Sequence, residues 1–193
     1  MSRIAVQLEN ELKLDAGRER VWDLLTDVPQ VVPCIPGGRL LETTGESTWK
    51  AEVALDLGFA RVVFLADVTR RDLDSERAVL DISAVDSRGR SSAQATMISV
   101  LSAAGAGTQV TVHTDLSIEG EAARFGPGII EDVSYEIVEQ MAGCIQSRLA
   151  EPLEAGAQPR PAPSKLSLWG ALRLWIRGRL GRARRRKAVA RRS

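Results

Sequence analysis

Residues 125–150 read FGPGIIEDVSYEIVEQMAGCIQSRLA. Phe125, Ile129, Val133, Ile137, Met141, Ile145 and Leu149 recur every four residues, with Ile130 and Val138 beside them. That spacing lays apolar side chains along one stripe of a helix. It predicts a long amphipathic helix from about Gly128 to Ala150, which needs an apolar surface to lie on.

The chain before it supplies that surface. Ile4, Val6, Leu8, Leu12 and Leu14 alternate, which predicts a long first strand with one covered face. Asp15 is placed to cap a short helix holding Val21, Trp22, Leu24 and Leu25. VPQVVPCIPGG follows, a second short helical piece and a hinge rich in Pro and Gly. From about Arg39 to Gly120 the period is two, over Trp49–Leu57, Val62–Val68, Ala78–Ala84 and Val110–Ile118. Asp74–Ser75, Ser87–Arg88–Gly89 and Gly105–Ala106–Gly107 mark reversals. A strand, two short helices, about six more strands and a long helix fit an α+β fold: a curved antiparallel sheet of about seven strands wrapped around the C-terminal helix. Such a sheet often leaves a cavity under the helix.

This body, residues 1–150, has the size of one domain. Residues 151–164, EPLEAGAQPRPAPS, hold four of the eight prolines and read as a flexible tether. Residues 165–193 are different again. They carry 11 of the 26 basic residues and no acid, so residues 1–164 set 15 basic against 25 acidic residues, a net −10. Leu168, Trp169, Leu172, Trp175, Ile176, Leu180 and Ala183 would share one face of a helix, with Arg173 and Arg177 opposite. The apolar stretch is too short to span a bilayer. An amphipathic basic helix lying among anionic headgroups suits it, through Leu168, Trp169, Leu172, Arg173, Trp175, Ile176, Arg177 and Leu180. A nucleic-acid arm, a solvated tail and docking on the acidic body are the alternatives; the apolar stripe with its two Trp argues against nucleic acid.

No secretory signal opens the sequence. Cys34 and Cys144 lack metal-like spacing and are expected as buried free thiols in a reducing cytoplasm. Catalytic signals are thin. His113 is the single histidine and is expected on the outer face of its strand. Asp56, Asp67 and Asp72 are expected on a solvated face, and Tyr135 is a weak candidate for the cavity, as is Cys34 for its mouth. No metal motif is present, and no catalytic residue is assigned.

The element order and VWDLLTDVPQVVPCIPGG (Val21–Gly38) resemble the CoxG family of carbon monoxide dehydrogenase proteins, within the START-like (SRPBCC, helix-grip) superfamily. Trp49-Lys50-Ala51-Glu52-Val53, Phe64-x-Ala66-x-Val68, Gly105-x-Gly107-Thr108 and the last helix extend the likeness over nearly all of residues 1–150. Phe59-Ala60, Ala66, Ala95 and Glu119-Gly120 depart from glycine or proline positions of the family, and their added bulk would reshape the cavity. The resemblance implies a non-catalytic accessory protein that brings a molybdenum CO dehydrogenase or related hydroxylase to the cytoplasmic face of the cell membrane. It also implies a link to respiratory quinone such as menaquinone, carried as cargo, with no intrinsic cofactor.

The expected ligand site lies between the concave sheet face and the helix stripe: Val53, Leu55, Leu57, Phe64, Ala66, Met97, Phe125, Ile129, Val133 and Ile137. Such pockets are mostly apolar with few polar groups. A solid core is the competing structural reading. The competing functions are a cyclase or dehydrase of the same fold, which would need acid–base groups inside, and a ligand-free membrane adaptor.

Overall fold

The computed structural model describes residues 2–58 and 60–151. The expected tether beyond Glu151 and the whole expected tail lie outside the described residues, including Leu168, Trp169, Leu172, Arg173, Trp175, Ile176, Arg177 and Leu180.

The chain runs β1 (Arg3–Leu14), α1 (Arg18–Thr26), α2 (Val28–Val31), a 3-10 turn (Val32–Cys34), β2 (Gly38–Gly45), β3 (Thr48–Asp56), β4 (Arg61–Leu73), β5 (Arg77–Asp86), β6 (Ser91–Ala104), β7 (Gly107–Gly120), a second 3-10 turn (Ala122–Phe125) and α3 (Gly126–Ala150). The seven strands form one antiparallel sheet in the order β1-β7-β6-β5-β4-β3-β2. Register shifts at Leu40/Glu42, Thr43/Gly45 and Arg70/Asp72 place irregularities in β2 and β4, where extra residues bend a strand. The sheet is curved around α3, the expected helix-grip arrangement.

The core is unevenly distributed. Leu12 and Leu14 of β1, Val21 and Leu24 of α1, Cys34, Leu101, Val110, and Ile145 and Leu149 of α3 form one buried cluster. Val28 and Val32 pack on Trp49, Ala51 and Val68 in a second, which seats the hinge on the sheet. Ile145 and Leu149 are the buried residues of α3; from Gly126 to Cys144 none is buried. The helix is therefore clamped through its last turns and stands away from the sheet over its first half.

Glycines fix two tight places. Gly37 has φ +72° and accepts the Ala54 N–H, and a Cβ there would lie 2.1 Å from the Ala54 carbonyl oxygen. Gly120 has φ +85°, and a Cβ there would meet the Arg90 carbonyl oxygen at 2.0 Å. Only a residue without Cβ fits either.

Two expectations need correction. Asp15 does not cap α1: the N-cap is Gly17, and Asp15 instead donates its backbone N–H to Gln146 Oε1 (2.9 Å). Cys34 and Cys144 are not free thiols but a disulfide, with Cα atoms 5.5 Å apart. The fold lays the hinge against α3, and the bond joins residues 110 positions apart. A cross-link closing so long a loop removes much of the unfolded chain's freedom. Replacing both cysteines by alanine should lower unfolding stability in urea by about 4 kcal/mol relative to the oxidised protein. Coincident denaturation curves for the two proteins would show that the bond contributes nothing.

Candidate functional site

Where the first half of α3 stands off, a cavity of about 410 Å³ separates it from the sheet. Eight of the ten expected site residues line it: Leu55, Leu57, Phe64, Met97, Phe125, Ile129, Val133 and Ile137. Val53 and Ala66 do not. Register places them on the same face, Val53 opposite Phe64 and Ala66 opposite Ala51, but neither side chain reaches the void. The structure adds a wall absent from the expected set, in which Val28, Val31, Val32 and Ile35 of the hinge close one side.

Three of the lining side chains are polar: Asn10 of β1, Thr114 of β7 and Ser134 of α3. Asn10 Nδ2 donates to Ser134 Oγ at 3.1 Å across the seam between the edge strand and the helix. Thr114 pairs with Leu8 and Met97, so it sits diagonally from Asn10 on the same sheet face. The Asn10 carboxamide has two N–H donors and an acceptor oxygen, and the Ser134 bond uses one donor. The cavity is thus an apolar volume with one hydrogen-bonding corner. The sequence carries a signal for it: Asn10 interrupts the inward stripe Val6, Leu8, Leu12, Leu14, and Thr114 interrupts Val110, Val112, Leu116, Ile118. A polar residue in a period-two apolar face is a reason to look for a polar partner opposite.

The other polar candidates lie elsewhere. His113 is exposed, with Nδ1 3.3 Å from Glu9 Oε2, as expected of the outer face. Tyr135 is 47 % exposed and its hydroxyl donates to Glu139 Oε1 (2.8 Å) rather than facing the cavity. Asp56 accepts the Gly58 N–H, Asp72 pairs with Arg77 at 2.9 Å, and Asp67 lies in a shallow polar groove on the outer side of the sheet. Asp74 accepts the N–H groups of Glu76 and Arg77, which holds its carboxyl below the usual carboxylate range, but at the β4–β5 turn and not on the cavity. Among the described residues no titratable side chain lines the cavity, and no cluster of metal-ligating side chains is present.

The comparisons agree with this geometry. A family model described as the CoxG component of carbon monoxide dehydrogenase matches residues 11–150. No curated protein matches the chain. Among solved structures, a conserved protein from Geobacillus kaustophilus is 22 % identical, with a TM-score of 0.66 over 76 % of this chain and 95 % of that one. An uncharacterised protein from Rhizobium leguminosarum is 14 % identical, with a TM-score of 0.55 over 76 % and 97 %. The Zhui aromatase/cyclase from Streptomyces is 15 % identical, with a TM-score of 0.50 over 79 % and 98 %. These likenesses establish a helix-grip fold.

If the first half of α3 roofs a void and the last turns make the core, substitutions along one helix should differ sharply. Ile145→Ala should cost about 3 kcal/mol of stability, and Ile129→Ala less than about 1 kcal/mol. Equal losses in urea unfolding would mean that the helix is packed along its whole length.

Proposed function

We infer the function from one premise: this chain belongs to the CoxG family of carbon monoxide dehydrogenase proteins. Family and fold together make it a ligand-binding accessory protein. Its ligand is a hydrophobic molecule held in the cavity under α3. The observation that carries this reading is the cavity's chemistry, hydrocarbon on nearly every side with the Asn10–Ser134–Thr114 corner. A buried amide with a spare N–H favours a ligand that brings an acceptor. An isoprenoid quinone such as menaquinone meets the description, with ring carbonyls for the corner and an apolar body for the rest. The expected site residues Leu55, Leu57, Phe64, Met97, Phe125, Ile129, Val133 and Ile137 would then contact cargo, not a resident cofactor.

The family's name supports the second half of the reading, recruitment of a molybdenum CO dehydrogenase or related hydroxylase. The basic tail would hold the protein on the inner face of the cell membrane. No helix among the described residues is long and apolar enough to cross a membrane, and the tail's composition is that of a surface-bound segment. The Cys34–Cys144 bond is uncommon for a reducing compartment, but Cys34 is fully buried and shielded from attacking thiols.

A cyclase or dehydrase reading has the fold of the Streptomyces aromatase/cyclase behind it. General acid–base catalysis needs a titratable group within reach of substrate. The cavity lining, which is free of such groups among the described residues, favours binding over catalysis.

Organic extraction of the natively purified full chain, followed by mass spectrometry, should yield a stoichiometric isoprenoid quinone. Val133→Trp fills the void and should abolish retention while leaving the urea midpoint within about 1 kcal/mol of the parent; a lipid-free extract from the parent protein would leave the ligand-free adaptor. For the tail, deletion of residues 165–193, or Trp169→Ala with Trp175→Ala, should release the protein from anionic liposomes in a flotation assay. Undiminished flotation would remove the tail from the membrane reading.

A further inference from the structure

The buried cluster formed by α1, β1 and the last turns of α3 seals one end of the cavity. At the other end the apolar lining reaches the surface: Ile129 is 37 % exposed, and Leu57 is only half-buried. Three reversals meet there. Ser87 donates its N–H to the Val63 carbonyl, and Glu121 to the Arg90 carbonyl. Between them lies a groove lined by Arg61, Arg88, Arg90 and Arg124, and it shares Val62 and Phe125 with the cavity.

The acids of this groove do not neutralise it. Glu121 lies 3.0 Å from Arg90, and buried Asp86 lies 4.0 Å from the same guanidinium. Asp56, in the neighbouring hairpin, accepts the Gly58 N–H. Glu131 and Asp132 are on the side of α3 that does not line the cavity. Arg61, Arg88 and Arg124 are exposed and have no hydrogen-bond or ion-pair partner among the described residues. Three unmatched cations thus stand beside an apolar opening, on a body whose first 164 residues carry a net −10.

We propose that this end of the body docks on an anionic bilayer, with Arg61, Arg88 and Arg124 on lipid phosphates and Leu57 and Ile129 among the acyl chains. Guanidinium matches phosphate with paired N–H donors, and exposed apolar side chains between such cations enter the headgroup–acyl boundary. The docking is independent of the tail and of what the cavity carries. Its consequence, passage of a lipophilic ligand between bilayer and cavity without crossing water, rests on the ligand reading above.

Hydrogen–deuterium exchange of the full chain, with and without vesicles of phosphatidylcholine and phosphatidylglycerol, separates the two membrane contacts. Amides of residues 55–64, 86–91 and 121–131 should exchange at least about threefold more slowly on vesicles. The triple variant Arg61→Glu, Arg88→Glu, Arg124→Glu should lose that protection and keep the protection of 165–193, with unchanged exchange around Ile145 showing that it is folded. Protection confined to 165–193 in the parent would overturn the proposal. So would a triple variant that stays protected at the mouth, or protection equally strong on vesicles of phosphatidylcholine alone.

Discussion

The clamp on the last turns of α3 is the contact on which the rest of the structure depends. Ile145 and Leu149 enter the same cluster as Leu12 and Leu14 of the first strand, Val21 and Leu24 of the first helix, and Cys34 of the hinge. Four distant parts of the chain meet there, and the Cys34–Cys144 bond ties two of them covalently. Because the clamp holds one end of the helix, the other half can stand off the sheet without the helix detaching. A helix packed evenly along its length would be more stable and would have no cavity.

That division is half legible in the sequence. The four-residue stripe from Phe125 to Leu149 announces a long helix with one apolar face, and the period-two runs announce the sheet. Neither says which apolar positions touch neighbours and which face a void, since Ile129 and Ile145 occupy equivalent places in the pattern. Their difference comes from what lies opposite. The hinge and α1 fill the space under Ile145, while the widely spread concave face lies under Ile129. The small Ala66 leaves room beside Phe64, and the stripe alone does not show that its methyl stops short of the cavity. The alternation is least clear in β6, where inward Ser91 and Ser99 and outward Ile98 and Val100 blur the period.

Other misses have equally local causes. A pairing between residues 110 apart leaves no trace in spacing, so composition and compartment point to free thiols until the fold brings hinge and helix together. Asp15 has the residue type of a cap, but its place after β1 turns its backbone toward Gln146, and the helix starts later. Asn10 and Thr114 escape notice because a stripe is read by its apolar members. In a cavity the exceptions matter more, since an apolar lining sets what can enter and the few polar groups set how it is oriented.

Charge divides the body along a different line from packing. The outer side of the sheet carries Asp67, Asp81 and Asp115 among Ser, Thr and Gln side chains, and several are tied locally: Thr96 donates to Asp81 and Gln7 to Asp115. That face is well solvated, and its acids keep the protein apart from anionic surfaces. The cavity's open end shows the reverse, with unmatched arginines beside half-exposed Leu57 and Ile129. A net-negative body approaching an anionic bilayer is repelled from most directions, so the few cationic positions decide which end arrives first. The convex acids and the arginines at the mouth act in the same sense, each disfavouring the orientations in which the cavity would open to water.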